Sequence, residues 1–186
     1  NGGDAFNPWR NGLTWVELMP FFRSQNVEND LVDIDQATNG LELGLFYDNR
    51  DIGSNPSRGE SVRLRVARDW GLFDSSDSWT SVGAEADHYV SLGESGNWRQ
   101  RVLALNVWTS YSPTWEEQSD GRVDNRPPAF SGATLGGLWR MRAFPAQRFN
   151  DKAGIYYAAE LRLVPDWNPM EHLPALQERV GIQWFQ

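Results

Sequence analysis

Apolar and polar residues alternate position by position along most of this chain. In "LELGLFYD" the odd positions Leu41, Leu43, Leu45 and Tyr47 are apolar or aromatic, whereas Glu42, Gly44, Phe46 and Asp48 are mostly polar or small. Val62, Leu64 and Val66 alternate with Ser61, Arg63 and Arg65. Val82, Ala84, Ala86, Val90 and Leu92 lie opposite Gly83, Glu85 and Asp87. Leu103, Leu105, Val107 and Tyr111 oppose Ala104, Asn106 and Ser110. Ile155, Tyr157, Ala159, Leu161 and Leu163 oppose Tyr156, Ala158, Glu160 and Arg162. The final run sets Val180, Ile182 and Trp184 against Arg179, Gly181 and Gln183. A period of two marks strands with one apolar and one polar face. A weaker run, "LTWVELMPFF", predicts a strand interrupted by Pro20, and the segment leading out of "LGG" predicts another. The pattern predicts an all-β chain of about eight strands and no amphipathic helix. "PMEHLPALQER" has some helical spacing, but its two prolines make it a loop or a single turn.

Between the strands lie "DNRDIGSNPSRG", "FDSSDS", "GESGN" and a long segment from roughly Pro113 to Gly132 that carries charge, glycine and a Pro-Pro pair. No internal repeat beyond the hairpin rhythm and no linker divides the chain, so residues 1–186 are expected to form one architectural unit.

This alternation fits two architectures. A soluble β-sandwich would pack the apolar faces on one another. A transmembrane barrel would turn them toward lipid, since a barrel strand crosses with about 9–11 alternating residues. Three features favour the barrel. The polar faces carry small residues and charges in register, such as Glu85 with Asp87 and Glu160 with Arg162. Tyr47, Tyr111 and Trp184 sit near strand ends, where an aromatic girdle belongs. Several runs also exceed the usual five or six residues of a sandwich strand.

Composition narrows the chemistry. A net charge of −8 argues against nucleic acid as a partner, and the absence of cysteine removes disulfides, thiolate metal sites and cysteine nucleophiles. Two histidines, His88 and His172, leave little for a metal centre. Ten tryptophans sit in a chain of clearly negative mean hydropathy, an unusual pairing for an ordinary globular core.

Two longer stretches go further. "GLFYDNRDIGSNPSRGESVRLRV" (Gly44 to Val66) has the form of a "D-x-R-(D/N)…(N/D)P-x-x-G" strand–turn–strand. "TLGGLWRMRAFPAQRFNDKAGIYYAAELRLVP" (Thr134 to Pro165) combines "LGG", an arginine-aromatic tetrad and "E-L-R" in the next strand. Together they resemble the barrel of the bacterial surface antigen family, within the outer-membrane assembly-factor and translocator superfamily, from about Gly40 to Gln186. The resemblance implies an antiparallel transmembrane β-barrel whose loop after Gly136 and Gly137 re-enters the lumen. Met141, Arg142, Ala143 and Phe144 would take the tetrad positions at its tip, with the Arg142 guanidinium against the inner wall. Ala143 stands where the family has glycine, which carries strain if that position needs a positive φ. The resemblance also implies that these strands are about half of a larger barrel, lacking its last strands at the carboxyl end and the domains that precede it.

Glu160 and Arg162 are expected as lumen charges facing the re-entrant loop, the alternative being a cross-face ion pair. His88 suits an interfacial residue better than a ligand. "DNRD" and "SDGRVDN" lack calcium-loop spacing and are expected as turns. No G-x-S-x-G elbow is present, and adjacent Glu116 and Glu117 beside Trp115 suit a solvated loop, so no catalytic residue, metal or cofactor is expected. The implied role is insertion or translocation of proteins, or of lipids, at the bacterial outer membrane. Its expected partners are outer-membrane lipids, client substrates and accessory periplasmic proteins. Two alternatives stand beside it. One is the barrel anchor of a surface-displayed lipase whose catalytic domain lies elsewhere. The other is a soluble, tryptophan-rich, carbohydrate-binding β-sandwich.

Overall fold

The computed structural model describes residues 6–29, 32–167 and 182–185. Every regular element within them is a strand: β1 (Leu13–Asn29), β2 (Val32–Asp48), β3 (Gly59–Trp70), β4 (Ser78–Ser91), β5 (Trp98–Tyr111), β6 (Glu116–Glu117), β7 (Val123–Asp124), β8 (Ala133–Leu135), β9 (Phe149–Asp151), β10 (Ala153–Pro165) and β11 (Ile182–Phe185). Seven of them form one antiparallel sheet in the order β1-β2-β3-β4-β5-β10-β11, and β6-β7 and β8-β9 are separate two-stranded ribbons. β1 to β5 and β10 run 12 to 17 residues each, enough to cross a bilayer when tilted.

Three expectations change. β1 runs straight through Pro20, which pairs with Leu41. Among the described residues β1 is an edge of the sheet, and an edge strand tolerates a missing N–H. The hairpin also extends well beyond the alternating runs, so that "RSQNVEN" and "VDIDQATNG" pair along their length. The residues just after "LGG" form a turn-rich tip in place of a strand, and chain pairing resumes at β9 and β10. "PMEHLPALQER" lies outside the described residues.

The two faces of the sheet invert the usual globular order. Leu18, Leu43, Val66, Val82 and Tyr111 lie in one register row across β1 to β5; the next row holds Val16, Leu45, Leu64, Ala84, Thr109 and, on β10, Ile155. Apart from the half-buried Ala84 these side chains are exposed: Leu43 is 50% accessible, Leu64 44% and Ile155 67%. The opposite face carries Arg63, Glu85, Asp87, Asn106 and Glu160, yet it is the covered one, with Ser81 5%, Ser110 3% and Trp108 4% accessible. Leaving one large aliphatic side chain in water forfeits about 1.5–3 kcal/mol. A row-by-row aliphatic surface therefore calls for an apolar solvent.

That surface is also staggered. Glu60 and His88 end it on β3 and β4, but Leu105 and Ala159 in the same register row continue it on β5 and β10, and the row beyond holds Val90, Leu103 and Leu161. An apolar band of constant height drawn across tilted strands moves along the register in this way. The chain is thus all-β, with the lipid-facing and luminal faces of an antiparallel barrel wall. Tyr111 is exposed on the outer face, as a girdle residue should be, whereas Tyr47 is buried with Phe6 edge-on at 5.0 Å. The side chain of Trp184 lies outside the description.

Candidate functional site

The polar face is covered by residues 112–152, the connection between β5 and β10. It leaves β5 at Ser112, whose N–H donates to the Lys152 carbonyl at 2.8 Å, so the loop is closed at its base. From there it is fastened to the wall at intervals. Thr114 Oγ1 accepts the Thr80 N–H at 2.8 Å, Asp77 Oδ2 accepts the Asn125 N–H at 2.8 Å, and Ser81 Oγ donates to the Ser131 carbonyl. Phe130 reaches the β1–β2 hairpin, edge-on to Phe21 at 6.4 Å and with the Arg23 guanidinium 4.2 Å from its ring centroid.

After the β8 strand the chain turns at Gly136 and Gly137, with φ of 111° and 102°. A Cβ on Gly136 would fall 2.3 Å from the Pro145 carbonyl oxygen, so only glycine allows the two arms of the tip to meet. The tip is then closed by Gly137 N–H to the Phe144 carbonyl at 3.1 Å and Phe144 N–H to the Met141 carbonyl at 3.0 Å. Phe144 packs edge-on against Phe149 at 5.2 Å. Positive φ falls on Met141, at 59°, and not on Ala143. The strain considered for an alanine in a glycine position therefore does not arise at Ala143.

Arg142 is exposed and its Nε donates to the Leu138 carbonyl at 3.1 Å, within the tip itself. Arg140 meets the wall. Its Nη2 lies 3.1 Å from Glu85 Oε1, and its guanidinium carbon lies 4.4 Å from the centroid of Trp108. Glu85 also faces Arg63 Nη1 at 3.5 Å and accepts from Asn106 Nδ2 at 3.4 Å. Around this point the wall is a continuous polar array. Asp87 accepts from Ser61 Oγ at 2.9 Å and from Asn106 Nδ2 at 2.8 Å. Glu160 and Arg162 pair with each other at 2.7 Å, and the Arg162 guanidinium stands 5.4 Å from the Tyr89 ring. The loop tip and this wall enclose a cavity of about 400 Å³ lined by Glu85, Asn106, Arg140, Met141, Arg142 and Glu160, among others. The structure therefore brings Met141 and Arg142 of the tetrad to one space with Glu160, while giving Glu160 a neighbour on its own strand as its bonded partner.

The other motif folds as a strand–turn–strand. Asp48 receives a bidentate grip from Arg50, Nε at 2.9 Å and Nη2 at 2.6 Å. Asp51 accepts from the N–H groups of Ile52 and Ser57, both at 2.9 Å, and from the Ser57 hydroxyl. Burial opposes charge on Asp51, but the hydrogen bonds from Ser57, Arg58 and Ile52 outweigh it and hold its pKa below the ordinary carboxylate value. Gly59, at φ 98°, ends the turn where a Cβ would meet the Asn49 carbonyl oxygen at 2.3 Å.

His88 lies on the outer face with Nδ1 3.3 Å from Glu60 Oε2, at the edge of the apolar band. Glu116 and Glu117 form the short exposed strand β6. Among the described residues no group of three or more His, Cys, Asp or Glu side chains is placed to hold a metal ion. Sequence reasoning missed Arg140, Trp108 and Asp69. A signal existed for Trp108, a tryptophan in the polar phase of β5. Asp69 is fully buried, accepting from Thr38 Oγ1 at 2.6 Å and from the N–H groups of Asn39 at 3.0 Å and Gly71 at 2.8 Å. Nothing in "ARDWG" distinguishes it from a turn carboxylate.

A profile of the Omp85 superfamily domain matches residues 5–172. No solved structure matches the chain.

Proposed function

This chain belongs to the Omp85 superfamily, bacterial outer-membrane β-barrels of protein insertion and translocation, and on that premise we propose that it builds part of the wall of such a barrel together with its lumen loop. In this reading residues 112–152 fill the lumen, and the loop tip with Gly136, Gly137, Met141, Arg142, Ala143 and Phe144 faces the charges Glu160 and Arg162 across the cavity described above. The protein then acts on client proteins, or on lipids, at the outer membrane, without chemistry of its own. One observation carries the reading: aliphatic side chains are exposed row after row on one face, while the polar face is the one a long loop covers. A soluble sandwich would bury the face that is exposed here. A lipase anchor would share the wall, but would give the loop no client to handle.

The test uses the full-length protein folded into lipid vesicles and supplied with an unfolded outer-membrane barrel client. Client insertion, read as protease-protected client, is expected to depend on the full-length protein and to slow sharply when residues 137–144 are replaced by a short Gly-Ser linker. Insertion at the same rate with and without the protein, together with ester hydrolysis by the full-length chain, would put the lipase anchor in its place.

A further inference from the structure

Glu60 and His88 put a carboxylate and an imidazole on the lipid-facing side of the wall, directly across the register of β3 and β4, with Nδ1 3.3 Å from Oε2. Leu105 stands level with them on β5, and Val62, Ala86 and Val107 form the next outer row toward the end that carries the long loop. Together these residues line an open recess of about 360 Å³. Ala86 makes it a recess, because its methyl group lies between two larger side chains. β3, β4 and β5 are each paired on both sides, so the recess belongs to the interior of the wall and owes nothing to its edges.

The recess is apolar toward the middle of the band and polar at its rim. Glu60 is mostly covered, 17% accessible, and its Oε1 has no hydrogen-bond partner among protein atoms. Among the described residues its one basic neighbour is His88, which is 54% accessible. A carboxylate held against hydrocarbon favours a cation that can also donate hydrogen bonds. The pair lies at the short-turn end of the strands, and short turns mark the periplasmic end of such barrels. The surface it interrupts is the lipid-facing one, so the cation has to come from a lipid headgroup. A primary ammonium next to a phosphate fits: the ammonium reaches Glu60, the phosphate reaches His88, and an acyl chain runs inward over Ala86 between Val62 and Val107. A trimethylammonium headgroup has the same charge but no N–H to donate. A phosphoglycerol headgroup brings net negative charge to Glu60.

We propose that the recess formed by Glu60, His88, Ala86 and their apolar neighbours on β3 to β5 seats one phospholipid whose headgroup ends in a primary ammonium. The proposal rests on the barrel reading given above. It goes beyond that reading by giving one lipid a fixed place on the outer wall, at the periplasmic leaflet, and by naming the headgroup chemistry that selects it.

The test folds the full-length protein into vesicles of phosphatidylethanolamine, phosphatidylcholine and phosphatidylglycerol in equal amounts and with the same acyl chains. The protein is then extracted in mild detergent and weighed intact by native mass spectrometry, which identifies the lipids it retains. Folding is read separately from heat-modifiable migration on gels. Retained phosphatidylethanolamine should exceed phosphatidylcholine by about five- to tenfold, as one hydrogen bond partly open to water would give. Glu60→Gln should remove most of that preference. Ala86→Phe fills the recess, leaves the pair in place and should lower retained phosphatidylethanolamine as Glu60→Gln does. Glu94→Gln alters an exposed carboxylate at the same end of the wall and should change nothing. Equal retention of phosphatidylethanolamine and phosphatidylcholine by the unsubstituted protein overturns the proposal, and so does an excess of phosphatidylglycerol. A preference that survives Ala86→Phe, or falls equally with Glu94→Gln, overturns it too, since surface charge would then account for the binding without a seat. If Glu60→Gln fails to fold, the unsubstituted protein and Ala86→Phe still decide the question. Absence of heat-modifiable migration in the unsubstituted protein would instead strike at the barrel reading itself.

Discussion

Two connections in this chain carry recognisable motifs, and they are held in opposite ways. The turn from Asn49 to Arg58 is tied mainly near itself, Arg50 to Asp48 and Ile52, Ser57 and Arg58 to Asp51, with Arg50 also reaching Tyr89 on β4. The loop from Ser112 to Lys152 is tied to wall residues far away in sequence: Thr80, Asp77, Ser81 and Glu85. A turn of the first kind fixes the register of two strands and has no alternative arrangement to visit. A loop of the second kind can be released bond by bond while the wall stays intact, because β2 to β5 and β10 are each paired on both sides by their own ladders. Near contacts make the turn part of the scaffold, and far contacts leave the loop a separable layer upon it.

The connection between β3 and β4 combines both modes and is the hardest place to break the distinction without breaking the wall. Asp69 accepts locally from Gly71 and Ser75 and distantly from Thr38 and Asn39, and Thr38 Oγ1 in turn accepts from Trp79 Nε1 at 3.1 Å. Asp69→Ala would leave several covered donors without a partner at once. It is expected to be the most damaging of the changes considered, roughly 3–5 kcal/mol, measured as urea unfolding of the full-length protein in vesicles. A loss under 1 kcal/mol would mean that water replaces the carboxylate and that the cluster is not a structural joint.

Gly136→Ala should come next and should separate loop from wall. The added Cβ would sit 2.3 Å from the Pro145 carbonyl oxygen at a φ of 111°, so the tip has to open. The cost, about 2–3 kcal/mol, falls on the loop and not on the sheet. Urea unfolding of the barrel should change little while a protease site in residues 137–144 becomes cleavable. Equal losses in both measurements would show that the loop is part of the fold's cooperative unit.

How much of this could be seen in the sequence follows the same division. The outer face was legible because most Leu and Val residues in β3 to β5 and β10, and Leu41 to Leu45 of β2, obey a period of two that depends on no other strand. The motif turn was legible because Asp48, Arg50, Asp51 and Gly59 act within twelve residues of one another. The loop was legible as a loop, with its two glycines, but not in what it touches. Nothing local distinguishes Arg140 from Arg142: which one meets Glu85 depends on how far the tip reaches over β4 and β5. Pro20 misled for a related reason, since its tolerance depends on β1 having one unpaired side among the described strands.

Asp51→Asn tests the motif turn and should cost about 1 kcal/mol, because the carboxylate is only partly buried and an amide keeps one acceptor. The pH dependence gives the sharper reading. The folded-state pKa of Asp51 is lowered, so its contribution is fully present above the unfolded carboxylate value, about 4, and drains away as pH falls through the lowered folded value. Unfolding midpoints of the unsubstituted and Asp51→Asn proteins should therefore converge on acidification and stay apart at neutral pH. Parallel curves across that range would remove the charge from the explanation.

The smallest effect concerns the tetrad itself. If glycine were wanted at position 143 for its conformational freedom, Ala143→Gly would stabilise the tip. In this tip the left-handed residue is Met141, at φ 59°, and Ala143 has an ordinary backbone. Ala143→Gly should therefore only enlarge the freedom of the undocked loop, and shift it away from the closed form by about 0.4–1 kcal/mol. Met141→Gly relieves a left-handed conformation that costs an L-residue about 1–2 kcal/mol, but it also removes a side chain from the cavity lining and adds the same freedom to the open loop. Those terms oppose, and the net should lie within about 1 kcal/mol of zero. The pair is best read together by protease cleavage within residues 137–144. Slower cleavage in Ala143→Gly than in Met141→Gly would mean that the positive φ belongs at position 143 after all, and that this tip closes in the manner of its relatives and not in a register of its own.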